Sequence, residues 1–176
     1  MNEKDFWKHG HKHHAQRRND SFDIEEILNF MEPDIDFDIV DLGAGDGFFS
    51  KIFLNKYKSV TAVDIYDGFF GELNSLGIKT IKANLCTFND GTWDVSFMAN
   101  VYHGLRHDCK EDILKNINKI TKKYFFILDF NPDSGFLFGP PIKLKKEIVI
   151  KDFTDSGFKY VKDKNLKYHY LIKFEK

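Results

Sequence analysis

The sequence predicts an α/β domain built on an open, mostly parallel sheet, and three observations carry that prediction. An apolar strand pattern, Ile39-Val40-Asp41-Leu42, runs into Gly43-Ala44-Gly45-Asp46-Gly47 and then straight into an amphipathic helix pattern opened by Phe48-Phe49. Glycines in such a turn let the chain reverse tightly and put no Cβ between the main chain and a ligand. At the carboxyl end of a parallel strand, this is where open α/β sheets bind nucleotide-like molecules. A second apolar strand, Val60–Ile65, ends in a carboxylate, Asp64, 19 residues beyond Gly45. That is close to the spacing of roughly 20 residues that places an acid on a ribose hydroxyl pair. Third, strand and helix patterns alternate onward from there and close in an antiparallel hairpin. At 176 residues the chain suits one domain with a sizeable core and leaves no room for a second.

Taken in order, residues 1–20 are polar, with Phe6 and Trp7 ahead of His9, His11, His13, His14 and Arg17-Arg18. They read as a solvated arm or active-site lid outside a single domain over residues 21–176. His9 and His13 would share a helix face at i, i+4, a spacing that can chelate a metal. No nearby acid or cysteine cluster completes a site, so no metal is assigned. Ser21 can cap a helix whose Ile24, Ile27, Leu28 and Met31 follow i, i+3, i+4, i+7, and Pro33 ends it. Strand one covers about Phe37–Leu42, and the next helix buries Phe49, Ile52 and Phe53. Strand two is Val60–Ile65. A short helix over Phe69–Leu76 stops at Gly77, and strand three is Ile78–Lys82. Strand four is Trp93–Ala99. Asp108-Cys109-Lys110-Glu111 is a variant capping box that starts a helix with Ile113, Leu114, Ile117 and Ile120 on one face. Tyr124–Phe130 is a continuous apolar run, as a central strand covered on both faces requires. A Gly/Pro-rich loop (Asn131–Pro141), a helix over Lys145–Ser156 and the hairpin Phe158–Lys162/Lys167–Phe174 complete the pattern.

The glycine spacing narrows the ligand. A dinucleotide fingerprint reads G-x-G-x-x-G, whereas this chain has Gly43-x-Gly45-x-Gly47, with Phe48 where the third glycine belongs. A G-x-G-x-G turn preceded by an acid, here Asp41, resembles motif I of the class I S-adenosylmethionine-dependent methyltransferases. Within that family the chain is similar to small methyltransferase-domain proteins and to the ubiquinone/menaquinone-biosynthesis methyltransferase group. The resemblance covers residues 35–175. It implies a Rossmann-like seven-stranded mixed sheet of order 3-2-1-4-5-7-6, its last strand antiparallel, with helices on both faces. It also implies S-adenosylmethionine as cofactor. Gly43, Ala44 and Gly45 would line its methionine and ribose, and Asp41 would hold the ammonium through water. Asp64 would accept both ribose hydroxyls, with Ile65 packed on the adenine. Asn84 stands where the family often has an Asp for the adenine amino group, and Leu85 would offer its backbone N–H. The backbone carbonyl of Asn100 would bind the ammonium. Read singly, the glycines could be only a tight βα turn and Asp64 only a helix cap.

After Asn100 comes Val101-Tyr102-His103-Gly104-Leu105, without the prolines of enzymes that methylate exocyclic amines or glutamine amides. Methyl transfer is an in-line displacement with a neutral leaving group, so alignment of donor and acceptor supplies most of the catalysis. A base is needed only where the acceptor keeps its proton. His103 is the candidate base, or else merely a cap on its loop, and Tyr102 a candidate aromatic wall or donor. The acceptor pocket is expected between the Asn100–Leu105 and Asn131–Pro141 loops, with Tyr102, Phe136 and Phe138 as its wall.

Composition bounds the partners. Hydrophobic residues make up 42% and charged residues 30%, a globular balance, and the net charge of −1 gives no reason to expect nucleic acid. No run approaches the roughly 18 apolar residues of a membrane span. Cys86 and Cys109 are expected as free thiols in a reducing cytosol, and the protein is therefore expected to be cytoplasmic. The expected activity is transfer of a methyl group to a small molecule. The alternatives are a cofactor-binding module without catalysis, or a tRNA or protein methyltransferase whose Lys143, Lys145, Lys146 and Lys151 face the polymer.

Overall fold

The computed structural model describes residues 22–135 and 140–176. Its strands are β1 (Asp38–Leu42), β2 (Ser59–Asp64), β3 (Lys79–Lys82), β4 (Trp93–Ala99), β5 (Thr121–Phe130), β6 (Lys159–Asn165) and β7 (His169–Glu175). They form one seven-stranded sheet in the order β3-β2-β1-β4-β5-β7-β6. β1 pairs in parallel with β2 and β4, β2 with β3, and β4 with β5. β7 runs antiparallel to both β5 and β6. Order and strand direction are those that the family resemblance implied. The chain moves outward from β1 to β3 and then returns to lay β4 on the other side of β1. That reversal opens a crevice at the carboxyl ends of β1 and β4, the place where sheets of this kind hold ligands.

The helices are α1 (Ile24–Met31), α2 (Phe48–Phe53), α3 (Phe70–Ser75), α4 (Tyr102–Ile120) and α5 (Lys146–Asp155). Alternate strand residues face opposite sides, so the sheet carries two cores. Val40, Leu42, Phe125 and Ile127 pack with Ile113, Ile117, Val149 and Phe153 of α4 and α5. On the other face Ile39, Phe97, Phe126 and Leu128 pack with Ile27, Met31, Phe49, Phe53 and Leu73 of α1, α2 and α3.

Two expectations are corrected and one is extended. The cap of α1 is Asp23, whose side chain accepts the Glu26 N–H at 2.9 Å; Asp23 directly precedes the first helical residue, while Ser21 lies outside the described residues. α4 is two helical stretches joined across a kink at Cys109, so the helix expected to start over Asp108–Glu111 does begin there, and the stretch ahead of it from Tyr102 was not expected. Its one non-helical residue is Cys109 (φ −153°, ψ 44°), so the capping-box residues straddle a break inside the helix. The apolar stripe used to find this helix starts only at Ile113, because its first turns are held by polar contacts of Tyr102, His103 and Arg106 instead. Finally, Cys86 and Cys109 are joined in a disulfide, their Cα atoms 5.7 Å apart, where free thiols were expected. Residues 23 apart in sequence meet because the turn after β3 packs against α4, a proximity that cysteine counting does not reveal.

Candidate active site

The turn after β1 is assembled by backbone bonds. Gly43 N and Ala44 N donate to Val63 O at 2.8 and 3.1 Å, and Gly47 N to Ala44 O at 2.9 Å. Gly43 has φ +78°, and a Cβ there would sit 2.5 Å from Val101 Cγ2, so only glycine lets the turn lie against the loop that follows β4. Gly45 has φ +58°, and a Cβ on it would enter open space. Its N–H donates to Asp64 Oδ2 at 2.8 Å, while Asp64 Oδ1 accepts the Tyr66 N–H at 2.8 Å. Each carboxylate oxygen keeps capacity for a further donor. Beside Asp64, the side chain of Ile65 is 65% exposed.

Asp41 is buried and accepts the Ser50 hydroxyl at 2.6 Å. Burial pushes its carboxyl up to about 7, against the Ser50 bond and with help from the nearby charge of Asp64. An unfolded Asp titrates near 3.9. Between that value and about 7, therefore, the folded chain holds a proton that the unfolded chain has lost. The stability contributed by neutral Asp41 is complete below the unfolded value and lost as pH rises through about 7. Urea midpoints of the wild type should thus fall relative to those of Asp41→Asn as pH is raised across this window. Parallel curves for the two proteins would contradict the assignment.

The remaining cofactor candidates cluster around the same crevice. Asn84 opens the turn after β3, its Oδ1 accepting the Cys86 N–H at 2.9 Å, with Leu85 buried behind it. The Asn84 oxygen expected to meet adenine therefore already holds its own turn. Asn100 follows β4 with φ +56°, and its N–H donates to Leu128 O at 2.8 Å. Its Oδ1 is buried with no hydrogen-bond partner among the described residues. An orphaned buried acceptor carries a desolvation cost that an incoming donor removes. Together the glycine cradle, the paired-up Asp64 and the orphaned Asn100 oxygen fit a nucleoside bearing an ammonium.

The two catalytic candidates separate. His103, in the first turn of α4, places Nδ1 2.8 Å from Asp129 Oδ1, and its backbone N–H donates to Asp129 Oδ2 at 3.2 Å. Asp129 is buried at the end of β5 and also accepts the Phe130 N–H at 2.8 Å. An acceptor oxygen against Nδ1 favours the tautomer with Nδ1 protonated, which leaves the Nε2 lone pair for a substrate proton. Tyr102, in contrast, is fully buried, and its hydroxyl donates to Asp152 Oδ2 at 2.9 Å. It is a core residue and not the wall of a pocket. Phe136 and Phe138, the other expected wall residues, lie outside the described residues, as does the histidine arm.

Asp152, Asp129 and His169 were missed by sequence reasoning. Burial raises the Asp152 carboxyl, but hydrogen bonds from Arg106, Lys110 and Tyr102 outweigh that and hold it below the usual carboxylate range. This cluster ties the start of α4 to α5 and so fixes the backbone that carries His103. Asp129 had a readable signal: it is the one charge inside the apolar run of β5. His169 opens β7 at the same sheet edge, its ring 4.6 Å from both Phe22 and Phe130. Both its nitrogens are buried without partners among the described residues, and burial lowers its pKa to about 4, so it is neutral near pH 7.

Comparison with known proteins gives the following. The model of a family described as "Methyltransferase domain" matches residues 40–127. No curated protein sequence matches. Among solved structures, the chain is similar to a SAM dependent methyltransferase from Aquifex aeolicus at 23% identity and a TM-score of 0.76, covering 90% of this chain and 92% of that one. A 1,6-didemethyltoxoflavin-N1-methyltransferase from Burkholderia thailandensis, with bound 1,6-didemethyltoxoflavin and S-adenosylhomocysteine, aligns at 17% identity and TM-score 0.71, over 87% and 76% of the two chains. The magnesium protoporphyrin IX methyltransferase of Synechocystis, with bound SAH, aligns at 15% and 0.67, over 93% and 83%. At these identities the structural likeness speaks for the fold.

Proposed function

The chain belongs to the methyltransferase domain family, and on that premise we propose that it transfers the methyl group of S-adenosylmethionine to a small-molecule acceptor, with His103 as general base. When bound, the cofactor supplies a methyl group on a sulfonium, which departs as a neutral thioether and needs no acid from the protein. Gly43, Ala44 and Gly45 would hold its methionine and ribose and Asp64 the ribose hydroxyls. Ile65, Asn84 and Leu85 would meet the adenine, and Asp41 and Asn100 the ammonium. An ammonium near Asp41 favours the charged carboxylate, so binding should release a proton near pH 7.

The observation that carries the reading is the His103–Asp129 pair, whose histidine opens α4 two residues after Val101, the side chain that lies against the glycine turn. His103 Nε2 would take the acceptor's proton as the acceptor atom attacks the methyl carbon. Asp129, held by the Phe130 N–H, would orient the ring and stabilise the imidazolium that results. Small, flat acceptors are supported by two of the structural relatives, which act on 1,6-didemethyltoxoflavin and magnesium protoporphyrin IX. No described helix is long and apolar enough to cross a membrane. We place the protein in the cytoplasm, where a disulfide such as Cys86–Cys109 is expected to be transient and redox-sensing rather than permanent.

Titration calorimetry with S-adenosylhomocysteine (SAH) tests the cofactor half of this reading. Binding and thermal stabilisation are expected, and Asp64→Ala should weaken binding by about 1.5–3 kcal/mol, the range for hydrogen bonds to a charged group. No heat and no stabilisation at millimolar ligand would overturn it. Turnover of methyl-labelled cofactor against separated small-molecule and RNA fractions tests the acceptor class, and label entering RNA alone would contradict the small-molecule reading.

A further inference from the structure

We infer that the Cys86–Cys109 bond is a thiol-sensitive clamp on the cofactor site, and that reducing it lowers affinity for the cofactor and its demethylated product. The inference rests on the cofactor reading above and adds to it a means of control.

The bond is built into the two pieces of backbone that complete the site. On one side, Cys86 belongs to the turn of Asn84 and Leu85. Its N–H donates to Asn84 Oδ1, and Thr87 N and Phe88 N donate to Asn84 O at 3.0 and 2.9 Å. On the other side, Cys109 occupies the one non-helical position inside α4, in the stretch that begins with Tyr102 and His103. The covalent link thus joins the adenine end of the site to the helix that carries the base. The closed loop between the two cysteines contains all of β4 together with Asn100 and His103.

Among the described residues, one side chain hydrogen-bonds the backbone of that turn from α4. Asn116 on α4 donates through Nδ2 to Leu85 O at 3.3 Å and to Cys86 O at 2.9 Å. With the disulfide open, the Asn84–Cys86 turn is held against α4 by this amide and by the packing of Leu85 on Ile113 and Ile117, and the break in α4 at Cys109 loses its covalent link to the turn. The turn and the break in α4 can then shift relative to one another, and the entropy of fixing them again on the ligand is subtracted from binding. Both cysteines are part-exposed, within reach of a small thiol.

The chemistry is ordinary exchange. A thiolate of a low-molecular-weight dithiol attacks one protein sulfur, the S–S bond breaks, and the second reductant thiol resolves the mixed disulfide. The products are two protein thiols and one oxidised dithiol, the two electrons coming from the reductant.

The test is titration of SAH into the full chain in two states, oxidised with glutathione disulfide or reduced with dithiothreitol. Thiol labelling and intact mass establish which state is present. Reduction should weaken binding at least about fivefold, the lower end of ordinary coupling between sites, and reoxidation should restore it. The double variant Cys86→Ser/Cys109→Ser should bind like the reduced protein and ignore dithiothreitol; should it fold poorly, the two states of the wild type still give the comparison. Equal affinity in both states, with only the melting temperature changed, would make the bond a structural staple and overturn the clamp. Two thiols that stay fully labelled after oxidation would overturn it as well. Absence of SAH binding in either state would instead remove the cofactor reading, and the clamp with it.

Discussion

His103→Ala is expected to lower turnover roughly 100- to 10,000-fold, the usual contribution of a positioned base, while leaving SAH affinity nearly unchanged. The reason lies in where the imidazole is held. Its Nδ1 is committed to a buried carboxylate, so the ring nitrogen left for a substrate proton is Nε2, needed when the acceptor gives up its proton and not before. Asp129→Asn should be almost as damaging, because an amide in that place can donate to Nδ1 and stabilise the wrong tautomer. Combining the two substitutions should add little, since both remove one function. Stopped assays with methyl-labelled cofactor, alongside SAH calorimetry on the same preparations, give both quantities. Equal losses in binding and turnover would make His103 a structural cap of α4. Unchanged turnover would show that the acceptor arrives without a proton to lose, as a thiolate does.

Phe97→Ala should be the most destabilising single truncation in the core under α1 and α2. Phe97 is fully buried on β4, a strand with neighbours on both sides, and its ring lies 4.9 Å from that of Phe49 and 5.0 Å from that of Phe53. Removing a buried ring costs about 3–5 kcal/mol through lost transfer energy and the cavity left behind. In a domain of this size each kcal/mol moves the melting temperature by roughly 2–4 °C, so a loss of about 6–20 °C is expected by calorimetry. A shift of only a degree or two would mean that the Phe49–Phe53 cluster collapses into the space. The cofactor turn should survive in the folded fraction, because Gly43 and Ala44 hang on β2 through Val63 O and not on this cluster.

The sequence by itself determined the features that depend on local pattern. Strand and helix periodicity located every strand of the sheet to within a few residues. The G-x-G-x-G turn and the terminal acid of strand two located the crevice proposed for the cofactor, because a tight turn and an acid at a strand end are written in consecutive residues. The family resemblance supplied the strand order, and the sheet agrees with it. Only the tertiary structure decided how distant segments meet. It set Asp129 of β5 against His103 of α4, which gives a lone histidine a fixed orientation. It buried Tyr102 against Asp152, fifty residues away, so that an expected wall residue became a core anchor. It joined Cys86 to Cys109, which composition alone had read as free thiols. Each of these is a side-chain contact between elements brought together by the crossover from β3 to β4 and by the packing of α4 on the sheet. No spacing in the chain encodes that approach; it follows from burying both faces of the sheet at once.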